Sequence, residues 1–282
     1  MSAQLKPNSV VLITGGASGI GRAVAERLAA AGHTIAIVDR NSEQIRAVIE
    51  VLGADHSGHE ADVASLDSLE QAVEQIMAQH GQIDVVIANA GIGSASTVLA
   101  SSAEALERII SINLLGQIKT VKSALEQVIA RRGFIMFTCS AAVLKNTAKS
   151  SAYAAAKAGV EAFAGSLRLE VEPHGVDVGV FYPGWTKTPM VTGGAARLAE
   201  GAKMPWPFNL TSTVEEVADA YAAAVQQRAR SSYFPTVLRC AHILRPLFTG
   251  RRWDVRMRQQ SRDLVASQEA GLNTGVDTPL RS

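Results

Sequence analysis

The sequence predicts an α/β fold, in which a doubly wound parallel sheet carries helices on both faces within a single domain. Short Val- and Ile-rich runs alternate regularly with helical segments along most of the chain. The apolar runs lack the strict alternation of a sheet with one wet face, so both faces are expected to be covered. Strands joined through helices in this way lie parallel, with right-handed crossovers.

Turn and cap residues separate the predicted elements. Asn41 stands where a helix N-cap is expected, and Gly32 and Gly81 stand where helices should end. The predicted strands are 9–16, 33–40, 56–63, 83–91, 133–140, 176–184 and one near 232–237. The predicted helices are 19–32, 42–53, 65–81, 103–131, 151–172 and 213–227.

The regular alternation stops after Pro183. Residues 184–212 mix Gly, Pro, Trp and Met without a period, and a long irregular segment inside a compact domain often forms a lid. The chain is therefore assigned a main body at 1–238, with a lid at 184–212. Residues 239–282 are predicted to be an Arg-rich helical extension and tail of the same domain.

Composition excludes several classes of function. The 282 residues carry a formal net charge of +1, which gives no field to attract nucleic acid. Two cysteines make a disulfide framework improbable, and neither a signal peptide nor a membrane span is visible, so a cytoplasmic location is expected. None of the six histidines has metal-ligand spacing, so no metal site is predicted.

A glycine-rich turn, "TGGASGIG" at 14–21, joins the first strand to the first helix. Glycines there let the chain turn tightly and let a pyrophosphate approach the free N–H groups of the helix. A turn without a ligand is the alternative, but the position between strand and helix favours a dinucleotide site. The candidate cofactor-binding residues in this turn are Gly15, Ser18, Gly19, Ile20 and Gly21.

Asp39 closes the second strand at the distance from the glycine turn that the dinucleotide fingerprint requires. A carboxylate there binds the adenosine ribose hydroxyls and repels a 2′-phosphate, which favours NAD over NADP. Two alternatives remain. Asp39 can instead cap the next helix, and Arg40 can accommodate a phosphate, which makes NADP the alternative cofactor.

The next two strand ends supply further candidate cofactor contacts. Asp62 can hold the adenine amino group, and the Val63 backbone can read the ring edge. "NAG", comprising Asn89, Ala90 and Gly91, ends the fourth strand, where the Asn89 amide can tie neighbouring strands together.

Tyr153 and Lys157 stand one helical turn apart in an alanine-rich segment, and so share a helix face. A nearby ammonium is expected to lower the tyrosine pKa from about 10 toward the working pH of a general acid–base catalyst. Spacing alone favours an alanine-rich helix with two surface polar residues. Ser140, just past the fifth strand, shifts the balance to catalysis because ligand sites gather at that edge of such sheets. Taken by itself, Ser140 fits a helix or turn cap better than a catalytic role.

These features together resemble a classical short-chain dehydrogenase/reductase, over residues 10–236. Seven motifs occur in the family's order: "TGGASGIG", "DV" at 62–63, "NAG", "INLLG" at 112–116, "CSAAV" from Cys139, "YAAAK" at 153–157 and "PGWTKT" at 183–188. The resemblance implies a single-domain Rossmann-like fold, NAD(P)-linked oxidation of alcohols or reduction of carbonyls, and a homodimer or homotetramer.

The resemblance also implies individual roles. Tyr153 is the general acid/base, Ser140 holds the substrate oxygen, and Lys157 contacts the nicotinamide ribose. Asn113 perturbs its helix and holds a water that links Lys157 to solvent. After the sixth strand, Pro183 and Gly184 turn the chain beside the nicotinamide, and the Thr186 backbone and the Thr188 hydroxyl bind its carboxamide.

The substrate is predicted to be a lipophilic secondary alcohol or ketone, or a related aldehyde. This rests on apolar residues that follow Ser140 or lie in the lid, although they fit simple lid packing equally well. They are Ala141, Ala142, Val143, Leu144, Trp185, Met190, Met204, Trp206 and Phe208. The basic residues Lys187, Arg197 and Lys203 in the lid would also allow the substrate to carry an anionic group.

The C-terminal extension carries seven arginines between Arg239 and Arg262, among apolar residues. A basic amphipathic helix can touch a membrane surface. We favour a subunit contact or a cover over the substrate pocket.

The leading hypothesis is an NAD-dependent oxidoreductase. The alternatives are an NADPH-preferring carbonyl reductase, and a dinucleotide-binding sensor or scaffold without turnover.

Overall fold

A seven-stranded parallel sheet forms the centre of the molecule. The computed structural model describes residues 4–93, 96–188, 190 and 204–273. The strands within them are β1 Val10–Thr14, β2 Thr34–Asp39, β3 Ser57–Glu60, β4 Val85–Ala88, β5 Phe134–Thr138, β6 Asp177–Pro183, β7 Trp185–Thr186, β8 Thr211–Ser212 and β9 Ser231–Phe234. The main sheet has the order β3-β2-β1-β4-β5-β6-β9, and β7 and β8 pair separately. The order reverses beside β1, which creates the crevice that doubly wound sheets use for ligands.

Helices cover both faces of the sheet. Those in the described residues are α1 Gly19–Ala30, α2 Ser42–Leu52, α3 Leu66–His80, α4 Ala103–Ile110, α5 Gly116–Arg131, α6 Ser151–Val171, α7 Val214–Gln226, α8 Leu238–Ile243, α9 Arg245–Thr249 and α10 Arg251–Asn273. The predicted cap of α2 is confirmed, because Asn41 Oδ1 accepts from the Gln44 N–H at 2.9 Å. Gly81 ends α3 in the left-handed conformation.

Two apolar clusters, one on each face, hold the layers together. Successive residues of β1 point to opposite faces, so Leu12 packs with α3, α5 and α6 while Ile13 packs with α1, α2 and α7. On the second face the rings of Phe181 and Tyr221 stack with their centroids 4.2 Å apart. The predicted α/β architecture, with both faces buried, is confirmed.

Several predicted strands are shorter in the structure, and one predicted helix is interrupted. The third strand was expected over 56–63, but β3 ends at Glu60 and the chain turns at Asp62, whose Oδ1 accepts from the Ala64 N–H at 2.8 Å. The helix expected over 103–131 is interrupted by a π-helical segment, Ser111–Leu115. Such widened turns are common at functional sites.

The segment expected to be an irregular lid contains regular pairing, because β7 and β8 lie parallel within it. Residues 189 and 191–203, including Arg197 and Lys203, lie outside the described residues, as does the tail at 274–282.

The C-terminal extension is helical, as predicted, and packs on the loop that follows Ser140. Trp253 Nε1 donates to the Asn146 carbonyl at 2.8 Å, and Phe208, Phe248 and Trp253 form an edge-to-face cluster. None of the helices in the described ranges has the length and apolarity to cross a bilayer.

Candidate active site

A cleft of about 830 Å³ opens at the carboxyl ends of the strands. It is the place where an open α/β sheet collects its ligand contacts. The cleft is lined by most of the sequence-predicted site residues: Gly15, Ser18, Gly19, Ile20, Asp39, Arg40, Asp62, Val63, Asn89, Ala90, Gly91, Asn113, Tyr153, Lys157, Pro183 and Thr188. Gly21, Ser140, Gly184 and Thr186 are not part of its lining.

The glycine turn has a geometry that side chains would block. Gly15 and Gly19 have φ of +66° and +54°, which glycine adopts without strain. A Cβ on Gly21 would lie 2.1 Å from the Gly15 carbonyl oxygen, so Gly21 supports the turn from behind. Ser18 makes no side-chain cap bond to α1, and the first turn of α1 has no acidic residue. This helix terminus therefore offers N–H groups to an anion.

The Asp39 carboxylate anchors the glycine turn. Oδ2 accepts from the Ala17 N–H at 3.2 Å, and Oδ1 accepts from the Arg40 N–H at 2.8 Å. Asn41 takes the capping position of α2, so Asp39 does not fill the alternative role of capping that helix. The carboxylate lines the cleft beside Arg40.

Asn89 joins three parts of the sheet edge. Its Nδ2 donates to the carbonyls of Thr14 and Gly15, both at 3.2 Å. Its Oδ1 accepts from the Thr138 hydroxyl at 3.1 Å. The amide thus ties β1, the glycine turn and β5 together, as the sequence indicated.

Tyr153 and Lys157 lie on one face of α6 and both line the cleft. The Lys157 ammonium is buried, donates to the Thr138 carbonyl at 2.8 Å, and lies 5.9 Å from the centroid of the Tyr153 ring. Ser140 follows β5, and its hydroxyl accepts from the Ala142 N–H at 3.1 Å. It caps the 3₁₀ turn Ala141–Leu144, which was its alternative role, and it also hydrogen-bonds the Tyr153 side chain.

Burial dominates the ionisation of this pair. Burial raises the pKa of Tyr153, and the hydrogen bond from Ser140 acts in the opposite direction. Burial lowers the pKa of Lys157 to about 8. The expectation that Lys157 lowers the tyrosine pKa is therefore wrong for this structure, because the ammonium points to the Thr138 carbonyl and both groups are desolvated.

Asn113 lies fully buried in the π-helical segment. Its Nδ2 donates to the Ile92 carbonyl at 2.9 Å, and its Oδ1 accepts from the Ile92 N–H at 2.8 Å. A Cβ on Gly91 would lie 2.6 Å from Asn113 Oδ1 and 3.7 Å from Lys157 Nζ. The absence of a side chain at Gly91 therefore lets Asn113 and Lys157 flank the same short stretch of backbone.

The segment after β6 closes one side of the cleft. Pro183 lines it, and the Gly184 N–H donates to the Phe234 carbonyl at 2.7 Å, which fixes the turn. Thr186 is buried in β7 and its hydroxyl donates to the Gly184 carbonyl at 3.2 Å. Thr188 lies across the glycine turn, since a Cβ on Gly19 would be 3.7 Å from its methyl carbon.

The known family that this constellation matches is the short chain dehydrogenases, whose family model covers residues 9–198. The chain belongs to the short-chain dehydrogenase/reductase family. It is therefore an oxidoreductase of a family that acts on CH–OH groups with NAD(P).

Two curated relatives and one solved structure illustrate the match. Carbonyl reductase family member 4 of Danio rerio is 32% identical over 75% of this chain and 88% of that protein. Cis-2,3-dihydrobiphenyl-2,3-diol dehydrogenase of Paraburkholderia xenovorans is 36% identical over 58% of this chain and 61% of that protein. A short-chain dehydrogenase/reductase structure from Mycobacterium marinum has a TM-score of 0.73 and 26% identity, covering 80% of this chain and 93% of that one.

The sequence reasoning missed two residues that hold the site together. The Thr138 carbonyl accepts from Lys157 and also from Gln117 Nε2 at 3.0 Å. The Thr138 hydroxyl lies 2.7 Å from the Tyr221 hydroxyl. Thr138 lies near the end of the predicted strand 133–140, where a site residue could have been looked for. Gln117 gave no signal, because its burial depends on packing against β5.

The lid residues divide between the cleft and its surroundings. Met190 lines the cleft, whereas Met204 and Phe208 are buried against the C-terminal helices and Trp206 is exposed. Among the described residues no group of three His, Cys, Asp or Glu is placed to hold a metal ion.

Proposed function

We propose that this protein transfers a hydride between NAD and a lipophilic secondary alcohol or ketone, or a related alcohol or aldehyde, with Tyr153 as the general acid/base. One observation carries the proposal: Tyr153, hydrogen-bonded to Ser140, lines the same cleft as the glycine turn. A proton-transfer group and a turn suited to binding a dinucleotide thus line the same cleft.

The residues present fit a dinucleotide. Gly15, Ser18, Gly19 and Ile20 would hold the pyrophosphate at the N-terminus of α1, with Gly21 behind them. Asp62 and the Val63 backbone would contact the adenine, and Asn89, Ala90 and Gly91 would form the floor. Pro183, Gly184, the Thr186 backbone and the Thr188 hydroxyl would fix the nicotinamide carboxamide, with Lys157 on its ribose. The bound cofactor supplies or accepts the hydride.

NAD is favoured over NADP because of Asp39. Its carboxylate lines the cleft and is fixed by the Ala17 and Arg40 N–H groups, where it would bind ribose hydroxyls and repel a 2′-phosphate. The alternative is an NADPH-preferring carbonyl reductase, supported by Arg40 beside it in the cleft.

Tyr153 would protonate the carbonyl oxygen in reduction and remove the hydroxyl proton in oxidation. Ser140 would hold the substrate oxygen beside it. Burial raises the pKa of Tyr153, so the phenol holds its proton near neutrality, which suits the reductive direction. Lys157 and Asn113, which both approach the position that a Cβ on Gly91 would occupy, would relay the proton through a water to solvent.

Met190 in the lining of the cleft supports a lipophilic substrate, and the similarity to a carbonyl reductase supports a ketone. Val143 and Leu144, which follow Ser140, are buried in the core and do not line the cleft. We also propose that the protein is a cytoplasmic homodimer or homotetramer, and light scattering of the purified protein tests the assembly.

A binding experiment followed by a turnover screen tests this function. Calorimetry with NADH and NADPH comes first, and we expect NADH to bind more tightly. A panel of aliphatic, cyclic and aromatic ketones is then offered with the preferred cofactor. Tight NADPH binding with negligible NADH binding would establish the reductase alternative. Cofactor binding without reduction of any ketone, or oxidation of any of the corresponding alcohols, would establish a sensor or scaffold.

A further inference from the structure

Lys145 is a buried cation on the substrate side of the site. It follows the 3₁₀ turn Ala141–Leu144, which begins at Ser140, and its side chain is only 7% exposed. Buried lysines are rare in proteins unless a partner compensates their charge. Sequence reasoning about the anionic end of a substrate did not single it out.

Among the residues that the structure describes, the contacts of Lys145 leave most of its charge uncompensated. Its Nζ donates to the Thr147 hydroxyl at 2.8 Å, which uses one of three donor positions. The ring centroids of Phe208 and Trp185 lie 5.4 and 6.0 Å away, so the aromatic faces give partial stabilisation only. Burial lowers the pKa of Lys145 to about 8, and no charged neighbour in the described chain offsets that shift.

Lys145 and its neighbour Trp185 both lie close in sequence to residues of the proposed active site. Lys145 is five residues beyond Ser140, which hydrogen-bonds Tyr153. Trp185 is two residues beyond Pro183, which lines the cleft. The ammonium therefore lies where the segments after β5 and β6 meet, 6.0 Å from the centroid of the Trp185 ring, although Lys145 itself is not among the residues that line the cleft.

An aromatic cluster continues from Phe208, one of the two rings near the Lys145 ammonium. Phe208 packs edge-to-face on Phe248 and Trp253, with centroids 5.1 and 5.8 Å away. The Asn146 N–H donates to the Phe248 carbonyl at 3.1 Å, so the C-terminal helices fix the loop that carries Lys145. Two aromatic rings and one hydroxyl are therefore the contacts that the described residues give to this cation.

We propose that Lys145 binds the carboxylate of a substrate that has an apolar body. The inference rests on the proposed function and narrows its substrate class to hydroxy or oxo acids. One ammonium and one hydroxyl match a singly charged carboxylate. A phosphate would require more donors than these contacts provide.

Matched pairs of acid and amide test the inference on the NADH-bound, full-length protein. Calorimetry compares octanoate with octanamide and benzoate with benzamide, which differ in charge and hardly in shape. We expect at least one acid to bind ten times more tightly than its amide. Equal affinities within both pairs would overturn the inference without any mutation.

Variants identify the residue that is responsible for the preference for the acid. Lys145→Met should remove the tenfold preference for the acid and leave amide binding unchanged, and Lys145→Arg should restore part of it. Lys187→Met is the matched control, because Lys187 is exposed on the same segment as Trp185. If Lys187→Met loses the preference for the acid while Lys145→Met keeps it, the assignment to Lys145 is overturned. The assignment is also overturned if both variants keep the preference.

Turnover separates this inference from the proposed function. Reduction of a neutral ketone such as 2-octanone should survive in Lys145→Met if the protein is a carbonyl reductase. If the protein reduces neutral ketones but binds the acids no more tightly than their amides, only the inference is refuted. Failure to reduce any ketone or 3-oxo acid would refute the function on which it rests.

Discussion

The two sides of the site are built in different ways. On the cofactor side, polar side chains bond to backbone groups at the strand ends, as Asp39 does to Ala17 and Asn89 does to Thr14. On the substrate side, the environment of Lys145 is made by aromatic rings from distant parts of the chain. The cofactor side is thus fixed by hydrogen bonds at the strand ends of the sheet, whereas the substrate side depends on how the C-terminal helices pack over it.

The largest expected effect lies where the two sides meet. Tyr153→Phe removes the proton-transfer group and keeps the ring, so kcat should fall by about 10²- to 10⁴-fold. The affinity for NADH, measured by calorimetry, should stay within about twofold, since the loss concerns the chemical step. Undiminished turnover of an identified substrate would show that Tyr153 is not the acid/base.

A glycine pair tests the rigidity of the cofactor side. In Gly21→Ala the new methyl would meet the Gly15 carbonyl oxygen at 2.1 Å, so we expect a loss of about 3 kcal/mol of stability and weaker NADH binding. Gly165→Ala is the matched helical control, because nothing lies within 4 Å of its added Cβ. It should gain about 0.5–1 kcal/mol in chemical denaturation. Similar effects for both variants would contradict the close packing behind the turn.

The substrate side should show the opposite response to mutation. Lys145→Met removes a buried charge and keeps an unbranched chain, so stability at neutral pH should rise by about 2 kcal/mol. The depressed pKa of Lys145, about 8 against 10.5, determines the pH dependence. Between these values the unfolded chain binds more protons, so wild-type stability rises with pH.

Denaturation curves at pH 7, 8, 9 and 10 check this behaviour. The wild-type rise should shrink in Lys145→Met but not vanish, because burial also lowers the pKa of Lys157 to about 8. A variant that is less stable than the wild type at neutral pH would mean that Lys145 already has a compensating partner.

The smallest expected effect concerns the choice of cofactor. Asp39→Asn keeps an acceptor for the Ala17 N–H but removes the charge that would repel a 2′-phosphate. The ratio of NADPH to NADH affinity should rise about tenfold, or about 1.4 kcal/mol. An unchanged ratio, measured by calorimetry, would mean that Asp39 acts only as an anchor of the turn.

The same contrast explains what could be predicted from the sequence. The order of strands and helices, the Asn41 cap and the Asn89 tie all followed from local patterns. The end of β3 at Glu60 and the π-helical segment around Asn113 did not. The turn after β3 contains a bond from the Ala64 N–H to the Asp62 carboxylate, and Asn113 is held by the Ile92 backbone, and neither bond is visible in a periodic pattern.

The substrate side was harder to foresee. The burial of Lys145 and Gln117 comes from residues distant in sequence, and a helical or turn pattern carries no record of it. The spacing of Tyr153 and Lys157 led us to expect a lowered pKa for the tyrosine, but burial raises that pKa.

Transfer of isotope from cofactor to product tests the central claim most directly. The protein is incubated with a ketone panel and NADH that carries deuterium at both hydrogens of its nicotinamide C4, and the alcohols are analysed by mass spectrometry. The account predicts an alcohol with one deuterium on its carbinol carbon, formed by the wild type and at least about 10²-fold more slowly by Tyr153→Phe. If the protein binds NADH but labels no alcohol from any ketone or 3-oxo acid, the proposed oxidoreductase function is contradicted.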